Sequence, residues 1–585
     1  MSDELKHECA VAMVVLRKAA VATGDYGGTK LSLLLEKQHN RGQDGAGAAI
    51  LSENPTPGEP PYWIAKSASA APLADVLGAI GRRSVSRERI FLGHLRYATF
   101  GKNEVAFCHP FVHESSELAH TLLLAGNFNL TNAHELFDDY SRHGSFPTSK
   151  ADGYLITELV AHELAGGKSL ADSISTALAG ADGAWTLCGA TGDGWAFATR
   201  DPHGIRPGFY YIDDNAVVVA SERPAIQAAF DVPPEAVKEL PPGEALVVSP
   251  DGTVEFCDLV VRLETRAEGR NSPSRLSSNV SRPMIRPCSF ERIYFSRAND
   301  ADIHRERKAL GAALVPQILK AADAPMEDIF FSYIPNSARI AFHGLIEHLF
   351  DEHGKVRFGE IAVKDAKFRT FIADAAARRE FYKHVYDVTY GLVRPGRDTL
   401  VVLDDSIVRG NTMKNAILPM LDRLGPKRIV IASSAPPIRY PDCYGIDMST
   451  LGELVAFRAL VNLLNGEQGT GNGERTLREA LEESLHVSAR STRPNNPLAA
   501  LYARFTDDQH CAEIARLLTP PDMKAEVKVV YQSVESLRRC LASDANPGSA
   551  IGDWYFTGDY PTPGGHKVLE NALRNHLERK NGRSY

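Results

Sequence analysis

Apolar positions come in short runs along the first part of the chain and in two alternating rhythms further on. Ala10–Leu16, Ile90–Leu95, Thr121–Leu124, Trp185–Gly189 and Ala216–Ala220 are apolar or alternating stretches bounded by Gly, Asp and Pro, the pattern of strands and hairpins. Helical spacing interrupts them at 30–38, 152–165 and 169–180. From residue 300 the rhythm changes. A helical pattern at 303–320 precedes a strand at Ile329–Ile334, a helix at 338–351 and a strand at Val356–Val363. A basic helical stretch at 371–385 leads to a strand at Thr399–Leu403, a helix at 411–424 and a strand at Arg428–Ala432. This alternation predicts a parallel sheet with covering helices. Between the two patterns, Arg266–Pro287 holds five serines, three prolines and five arginines with no period, which predicts a linker or exposed loop. Asn465–Glu474 is a glycine-rich break, and the chain from 475 reads as helical and then irregular.

Composition narrows the function classes. A chain of 585 residues exceeds one ordinary core, so two large domains and something smaller are expected. Lys and Arg total 65 against 73 Asp and Glu, a formal charge of −8. No global field favours nucleic acid or anionic lipid, so a bound anion must be held by local chemistry. No apolar run approaches the roughly 18 residues of a membrane span. The start, MSDELKHE, has no apolar core of a secretory signal. Eight cysteines (9, 108, 188, 257, 288, 443, 511 and 540) are never closer than 29 residues. That spacing excludes C-x-x-C zinc ribbons and fits reduced thiols in a cytoplasmic protein.

The segment Thr399–Lys414, TLVVLDDSIVRGNTMK, runs from an apolar strand through two acids and a polar loop into a helix. Ligands of open α/β sheets gather at the carboxyl ends of strands, where Asp404 and Asp405 fall. Adjacent carboxylates there suit a ribose diol and Mg²⁺. The loop's N–H groups, Arg409, the Thr412 hydroxyl and a helix start form a phosphate cradle. The alternative is a solvated acidic turn with Asn411 or Thr412 as an N-cap. On these residues the chain resembles the glutamine phosphoribosylpyrophosphate (PRPP) amidotransferase family. By that resemblance Asp404 and Asp405 bind the ribose and its Mg²⁺, and Ser406, Ile407, Val408, Arg409, Gly410, Asn411 and Thr412 bind the 5′-phosphate. The family usually has Thr-Thr where this chain has Asn411-Thr412. Val363–His384 resembles the family's flexible loop, with Lys367 and Arg369 as pyrophosphate ligands. Ile334–Ser337 (IPNS) aligns with a segment carrying Asp before Ser, so Ser337 alone keeps a metal-side oxygen there.

The same family demands a glutaminase at the other end of the chain. Cys9 follows a short polar leader and opens an apolar strand. Removal of residues 1–8 would set an α-amine, pKa roughly 7.7–8.0, beside the thiol as its base. The other reading of Cys9 alone is a buried strand cysteine. QHNRGQDGAG (Gln38–Gly47), GHLRYATFG (Gly93–Gly101), GNFNLTN (Gly126–Asn132), Asp152-Gly153 and RDPHGIRP (Arg200–Pro207) follow Cys9. Their order resembles the family's N-terminal-nucleophile domain. The resemblance makes Arg96 and Thr99 ligands of the glutamine carboxylate and Asp152 the partner of its ammonium. Asn127 and the Phe128 N–H become the oxyanion donors. Ala10 and Phe128 stand where the family has Gly.

The resemblance implies an N-terminal αββα sandwich followed by a parallel-sheet phosphoribosyltransferase domain. The expected division is a removable leader (1–8), glutaminase (9–262), linker (263–288), phosphoribosyltransferase (289–450) and a mostly helical extension (451–585). A short echo of the family recurs at Trp554–Gly565. The implied activity makes 5-phosphoribosylamine, glutamate and pyrophosphate from glutamine, PRPP and water, with ammonia passed between the sites. Mg²⁺ is the implied cofactor, and the scattered thiols predict no iron–sulfur cluster. Expected partners are the two substrates, purine nucleotide inhibitors and other copies of the chain, with no nucleic acid or membrane. Two rival readings are a glutaminase with another ammonia acceptor and a non-catalytic PRPP or nucleotide sensor.

Overall fold

The computed structural model describes residues 8–17, 25–52, 55–83, 88–98, 104–142, 144, 146–260, 282–364, 386–468, 472–488, 496–542 and 550–580. Its first strands are β1 (Ala10–Leu16), β2 (Gly45–Ser52), β3 (Tyr62–Ser67), β4 (Glu88–Arg96), β5 (Phe111–His113), β6 (Leu122–Leu130) and β7 (Gly183–Thr191). There follow β8 (Ala196–Arg200), β9 (Phe209–Ile212), β10 (Ala216–Ala220), β11 (Lys238–Glu239), β12 (Glu244–Val248) and β13 (Val254–Asp258). The later strands are β14 (Ile329–Tyr333), β15 (Ala362–Lys364), β16 (Tyr386–Val388), β17 (Thr399–Asp404), β18 (Arg428–Ser433) and β19 (Glu526–Tyr531).

The first thirteen make two antiparallel sheets, ordered β11-β9-β10-β1-β4-β2-β3 and β13-β12-β8-β7-β6-β5. Alternation decides what each face does. Ala10, Ala12, Val14 and Leu16 pack outward on Leu31, Val76 and Ile226 of the helices Tyr26–Lys37, Pro72–Gly81 and Arg223–Phe230. Val11, Met13 and Val15 point inward against Leu123, Ala125 and Cys188 of the second sheet. The far side of that sheet, through Leu122, Leu124 and Leu187, carries the helices Asp152–Ala165 and Leu170–Leu178. The result is a four-layer αββα sandwich. Odd residues of β1 and β6 and even residues of β4 face the layer between its sheets.

β14, β17, β18 and β19 form a parallel sheet in the order β14-β17-β18-β19. One face meets Ile318 and Leu345 of the helices Val315–Ala322 and Arg339–His353. The other meets Leu421, Ala459 and Ile514 of Leu418–Asp422, Val455–Gln468 and Asp507–Leu518. Burial on both faces explains why its central strands read as unbroken apolar runs.

Three expectations change. The helix expected at 303–320 is two, Ala301–Ala313 and Val315–Ala322, because Pro316 lacks an N–H and fits only the first turn of a new helix. Val356–Val363 is not a strand of the parallel sheet. Residues 357–359 touch β14 through Phe331, and the chain then turns into the two-stranded ribbon β15–β16. Finally, residues 451–585 are not a separate extension, since β19 lies within them and completes the sheet beside β18. Their end also ties the two domains together. The Thr562 hydroxyl and the Gly564 N–H, at the start of the helix Pro563–Leu577, donate to Asp182 at 2.6 and 2.8 Å. Among the described residues, no helix is long and apolar enough to cross a membrane.

Candidate active sites

Pairing of β1 with β4 sets Ala10 opposite Leu95, which brings Cys9 to the end of β4. There the Tyr97 N–H donates to Cys9 Sγ at 3.3 Å. Arg96 is buried, with its guanidinium 5.7 Å from the Phe107 ring centre. The loop after it is pinned by Asp44, whose carboxylate accepts the Ala98 N–H at 3.0 Å. By alternation Cys9, Arg96 and Asn127 all face the layer between the sheets. Asn127 is 3% exposed, and its Nδ2 is buried with no acceptor among the described residues. A buried donor left unpaired costs roughly 1–3 kcal/mol, so it marks a place built for a ligand.

Phe128 keeps extended backbone in β6. The N–H and C=O of Gly126 both bond away from β7, to His109 Nδ1 at 3.2 Å and His94 Nε2 at 3.0 Å. Two residues on, the Phe128 N–H points to that same open side. Asp152 begins its helix, and the Gly153 N–H donates to its Oδ1 at 3.0 Å. A Cβ on Gly153 would stand 3.1 Å from the Phe128 ring, so this helix start is pressed against β6. Cys9, Arg96, Asn127, Phe128 and Asp152 thus gather at one end of the sandwich. Thr99 lies outside the described residues.

Burial pushes the Cys9 thiol up to about 11, against the Tyr97 N–H and the Arg96 charge. With Glu8 still attached, its nitrogen is an amide and no amine is available as base. Glu8 itself is 1% exposed, forms an ion pair with Arg206 and lies 3.7 Å from Arg41. Burial holds its carboxyl well above the usual carboxylate range. Arg41 reaches further, to Glu222 at 2.7 Å and to Glu291 at 2.5 Å. Burial would raise Glu291, but Arg41, a hydrogen bond from Glu8 and the Arg206 charge together outweigh it and hold it at about 2. The QHNRGQDGAG motif therefore ties the sandwich to residue 291, just beyond the linker.

The second constellation lies where β17 ends. Asp404 Oδ1 accepts the Asp405 N–H at 2.9 Å, and Asp405 accepts the Ser337 hydroxyl and, at 3.0 Å, that of Ser406. Burial and the charge of Asp405 push Asp404 well above the carboxylate range; burial also raises Asp405, against Ser337, Ser406 and the Arg307 charge. Ile407 and Val408 are buried, and the Val408 carbonyl accepts the Val455 N–H at 2.9 Å. Gly410 has φ +79°, and a Cβ there would come within 2.3 Å of Leu518. Asn411 and Thr412 open the helical segment that follows. Arg409, by the sequence pattern a phosphate cation, bonds Glu453 through its guanidinium at 2.7 Å and lies 3.5 Å from Asp447. Lys367 and Arg369 lie outside the described residues.

Sequence reasoning passed over Tyr97, Asp44, His94, His109 and Arg206. A backbone donor such as the Tyr97 N–H leaves no mark in residue type, although four of these five lie inside quoted motifs.

A profile described as a glutamine amidotransferase domain matches residues 109–228. The amidophosphoribosyltransferase of Bacillus subtilis is 30% identical over 476 residues, covering 80% of this chain and 87% of that protein. That of Escherichia coli is 29% identical over 442 residues, 72% and 78% of the two chains. A solved B. subtilis glutamine PRPP amidotransferase, complexed with ADP and GMP, superposes with a TM-score of 0.64 at 25% identity, covering 95% of this chain and 97% of that one. A structure described as the allosteric regulatory enzyme of purine biosynthesis gives 0.66 at 25% identity, covering 95% and 96%.

Proposed function

This chain belongs to the amidophosphoribosyltransferase family, and from that premise we propose how its residues carry the reaction. The enzyme makes 5-phosphoribosylamine, glutamate and pyrophosphate from glutamine, PRPP and water. Cys9, once residues 1–8 are removed, attacks the glutamine amide carbon while its own α-amine takes the thiol proton. Arg96 pairs with the substrate carboxylate and Asp152 with its ammonium. Asn127 Nδ2 and the Phe128 N–H stabilise the oxyanion. Collapse breaks the C–N bond, the α-ammonium returns a proton to the leaving nitrogen, and water frees glutamate from the thioester.

Ammonia then crosses the domain junction. A continuous apolar cluster there joins Ala184 and Ile205 of the sandwich to Cys288, Phe290, Tyr444 and Tyr555. At the second site Asp404 and Asp405 hold the ribose hydroxyls, and the 406–412 backbone receives the 5′-phosphate. Two adjacent carboxylates whose charged forms are disfavoured by burial, and for Asp404 also by its neighbour's charge, fit a cation such as Mg²⁺. Among the described residues no cage of three or more His, Cys, Asp or Glu exists, so the ion would rest on Asp404, Asp405 and substrate oxygens, as Mg²⁺ commonly does. Bound there, it would offset charge on the departing pyrophosphate. Purine nucleotides, present in the solved relative, would compete at this site.

The observation that selects PRPP as acceptor is the Asp404–Asp405 pair at the carboxyl end of β17. The test is release of glutamate and pyrophosphate in equal amounts by purified enzyme given glutamine, PRPP and Mg²⁺. In Cys9→Ala, glutamine-dependent turnover should vanish while ammonia-dependent turnover persists. Loss of both in a folded variant would contradict the division between sites.

A further inference from the structure

Two stacked imidazoles beside Asn127 take no part in the chemistry above. His94 and His109 are 0% and 8% exposed, with ring centres 4.0 Å apart and planes 8° from parallel. Both grip one residue. His109 Nδ1 accepts the Gly126 N–H at 3.2 Å, and His94 Nε2 meets the Gly126 carbonyl at 3.0 Å. A carbonyl only accepts, so His94 carries its proton on Nε2. An amide N–H only donates, so His109 keeps a lone pair on Nδ1. Burial holds both imidazoles below their ordinary range, His94 at about 3, so these proton positions persist at neutral pH.

The need for such a grip follows from the sheet. β5 pairs with β6 only over Leu122–Leu124. Beyond Leu124 the outer edge of β6 has no neighbouring strand among the described residues, and Gly126 is where the imidazoles stand in for one. The next two residues are Asn127 and Phe128. The ring of Phe128, larger than the family's Gly, packs 5.5 Å from the His109 ring.

We propose that His94 and His109 form a clamp on the Gly126 peptide groups that positions the oxyanion donors Asn127 Nδ2 and Phe128 N–H. This rests on the reading of those donors given under Proposed function. The two histidines are positioning residues, because neither touches the reacting atoms. A donor displaced by about 1 Å costs on the order of 100-fold in rate, so the clamp acts on turnover more than on substrate affinity.

The side-chain amides of Asn and Gln separate this role from packing. A Gln amide nitrogen reproduces Nε2–H, and an Asn carbonyl oxygen reproduces the Nδ1 lone pair. The clamp therefore requires opposite replacements at the two positions. In the matured enzyme beginning at Cys9, His94→Asn and His109→Gln should lower glutamine-dependent kcat by roughly 10–100-fold with KM for glutamine within about threefold. His94→Gln and His109→Asn should stay within about threefold of the parent. Ammonia-dependent turnover, measured on all four, should be unchanged and reports an intact fold. Asn127→Ala serves as the reference. If it abolishes glutamine turnover while Asn and Gln are equivalent at both histidines, the clamp alone is overturned. If Asn127→Ala keeps glutamine turnover, the oxyanion reading fails and the clamp with it.

Discussion

The Tyr97 N–H donates to Cys9 Sγ across 3.3 Å, joining the end of β4 to the residue that opens β1. A backbone donor on sulphur favours thiolate, yet burial outweighs it and leaves the thiol at about 11 while Glu8 remains attached.

That balance predicts a pH profile. A thiol raised above its ordinary value of roughly 8.5 stabilises the fold below that pH and loses its contribution as pH rises through 11. Iodoacetamide should label Cys9 of the untrimmed chain slowly at pH 7.5, with a rate that climbs toward pH 11. A chain beginning at Cys9, with an α-amine as base, should react at least about tenfold faster at pH 7.5. Mass spectrometry separates Cys9 from the buried Cys188, Cys288 and Cys443. Equal rates for the two forms would refute the role given to the amine.

Asp404 and Asp405 store strain of the opposite use. Their raised carboxyls contribute stability below the unfolded value of roughly 3.9 and lose it as pH climbs through the folded value, so at pH 7 the pair costs stability relative to acid. Asp404→Asn should raise the melting temperature, by the equivalent of about 1 kcal/mol, while PRPP-dependent turnover falls at least about 100-fold. Calorimetry beside a pyrophosphate assay checks both. Lower stability with full activity would contradict the assignment.

Gly410→Ala probes the phosphate loop. At φ +79°, with Leu518 2.3 Å from the new Cβ, the loop must shift or strain by roughly 1–2 kcal/mol. KM for PRPP should rise about tenfold, the equivalent of that strain, while glutaminase turnover stays. Kinetics with PRPP varied read this directly.

Arg41 is a test of the domain junction. Arg41→Met leaves Glu222 and Glu291 buried beside an apolar chain, a loss of about 3–5 kcal/mol in denaturant titration. Adding Glu291→Gln should restore more than about 1 kcal/mol, since the two residues touch. Additive losses would mean that the pair does not couple.

Much of the fold is legible where one physical rule acts locally. β1 and β10 match their apolar runs end to end, and Asp152 opens its helix as a first-turn acid should. The loop DDSIVRGNT follows its strand because a buried parallel strand is an unbroken apolar run. β19 is different. EVKVVY joins its sheet across more than ninety residues of mostly helical chain after β18, and no short-range pattern states that pairing. Arg409 looked like a phosphate ligand because the carboxylate of Glu453, 44 positions away, is invisible to a motif. At the first site, the family resemblance pointed to Cys9, Arg96, Asn127 and Asp152, whereas Tyr97 meets Cys9 through its backbone and Gly126 is held by two distant imidazoles.

The central claim is that nitrogen leaves glutamine at Cys9 and reaches the sugar at Asp404–Asp405 without entering solvent. The direct measurement supplies amide-labelled nitrogen-15 glutamine, PRPP and Mg²⁺ together with unlabelled ammonium, and traps the 5-phosphoribosylamine formed. The account predicts product that retains the glutamine label undiluted at external ammonium well below the concentration that sustains ammonia-dependent turnover. Product whose label falls in proportion to the external pool would contradict it.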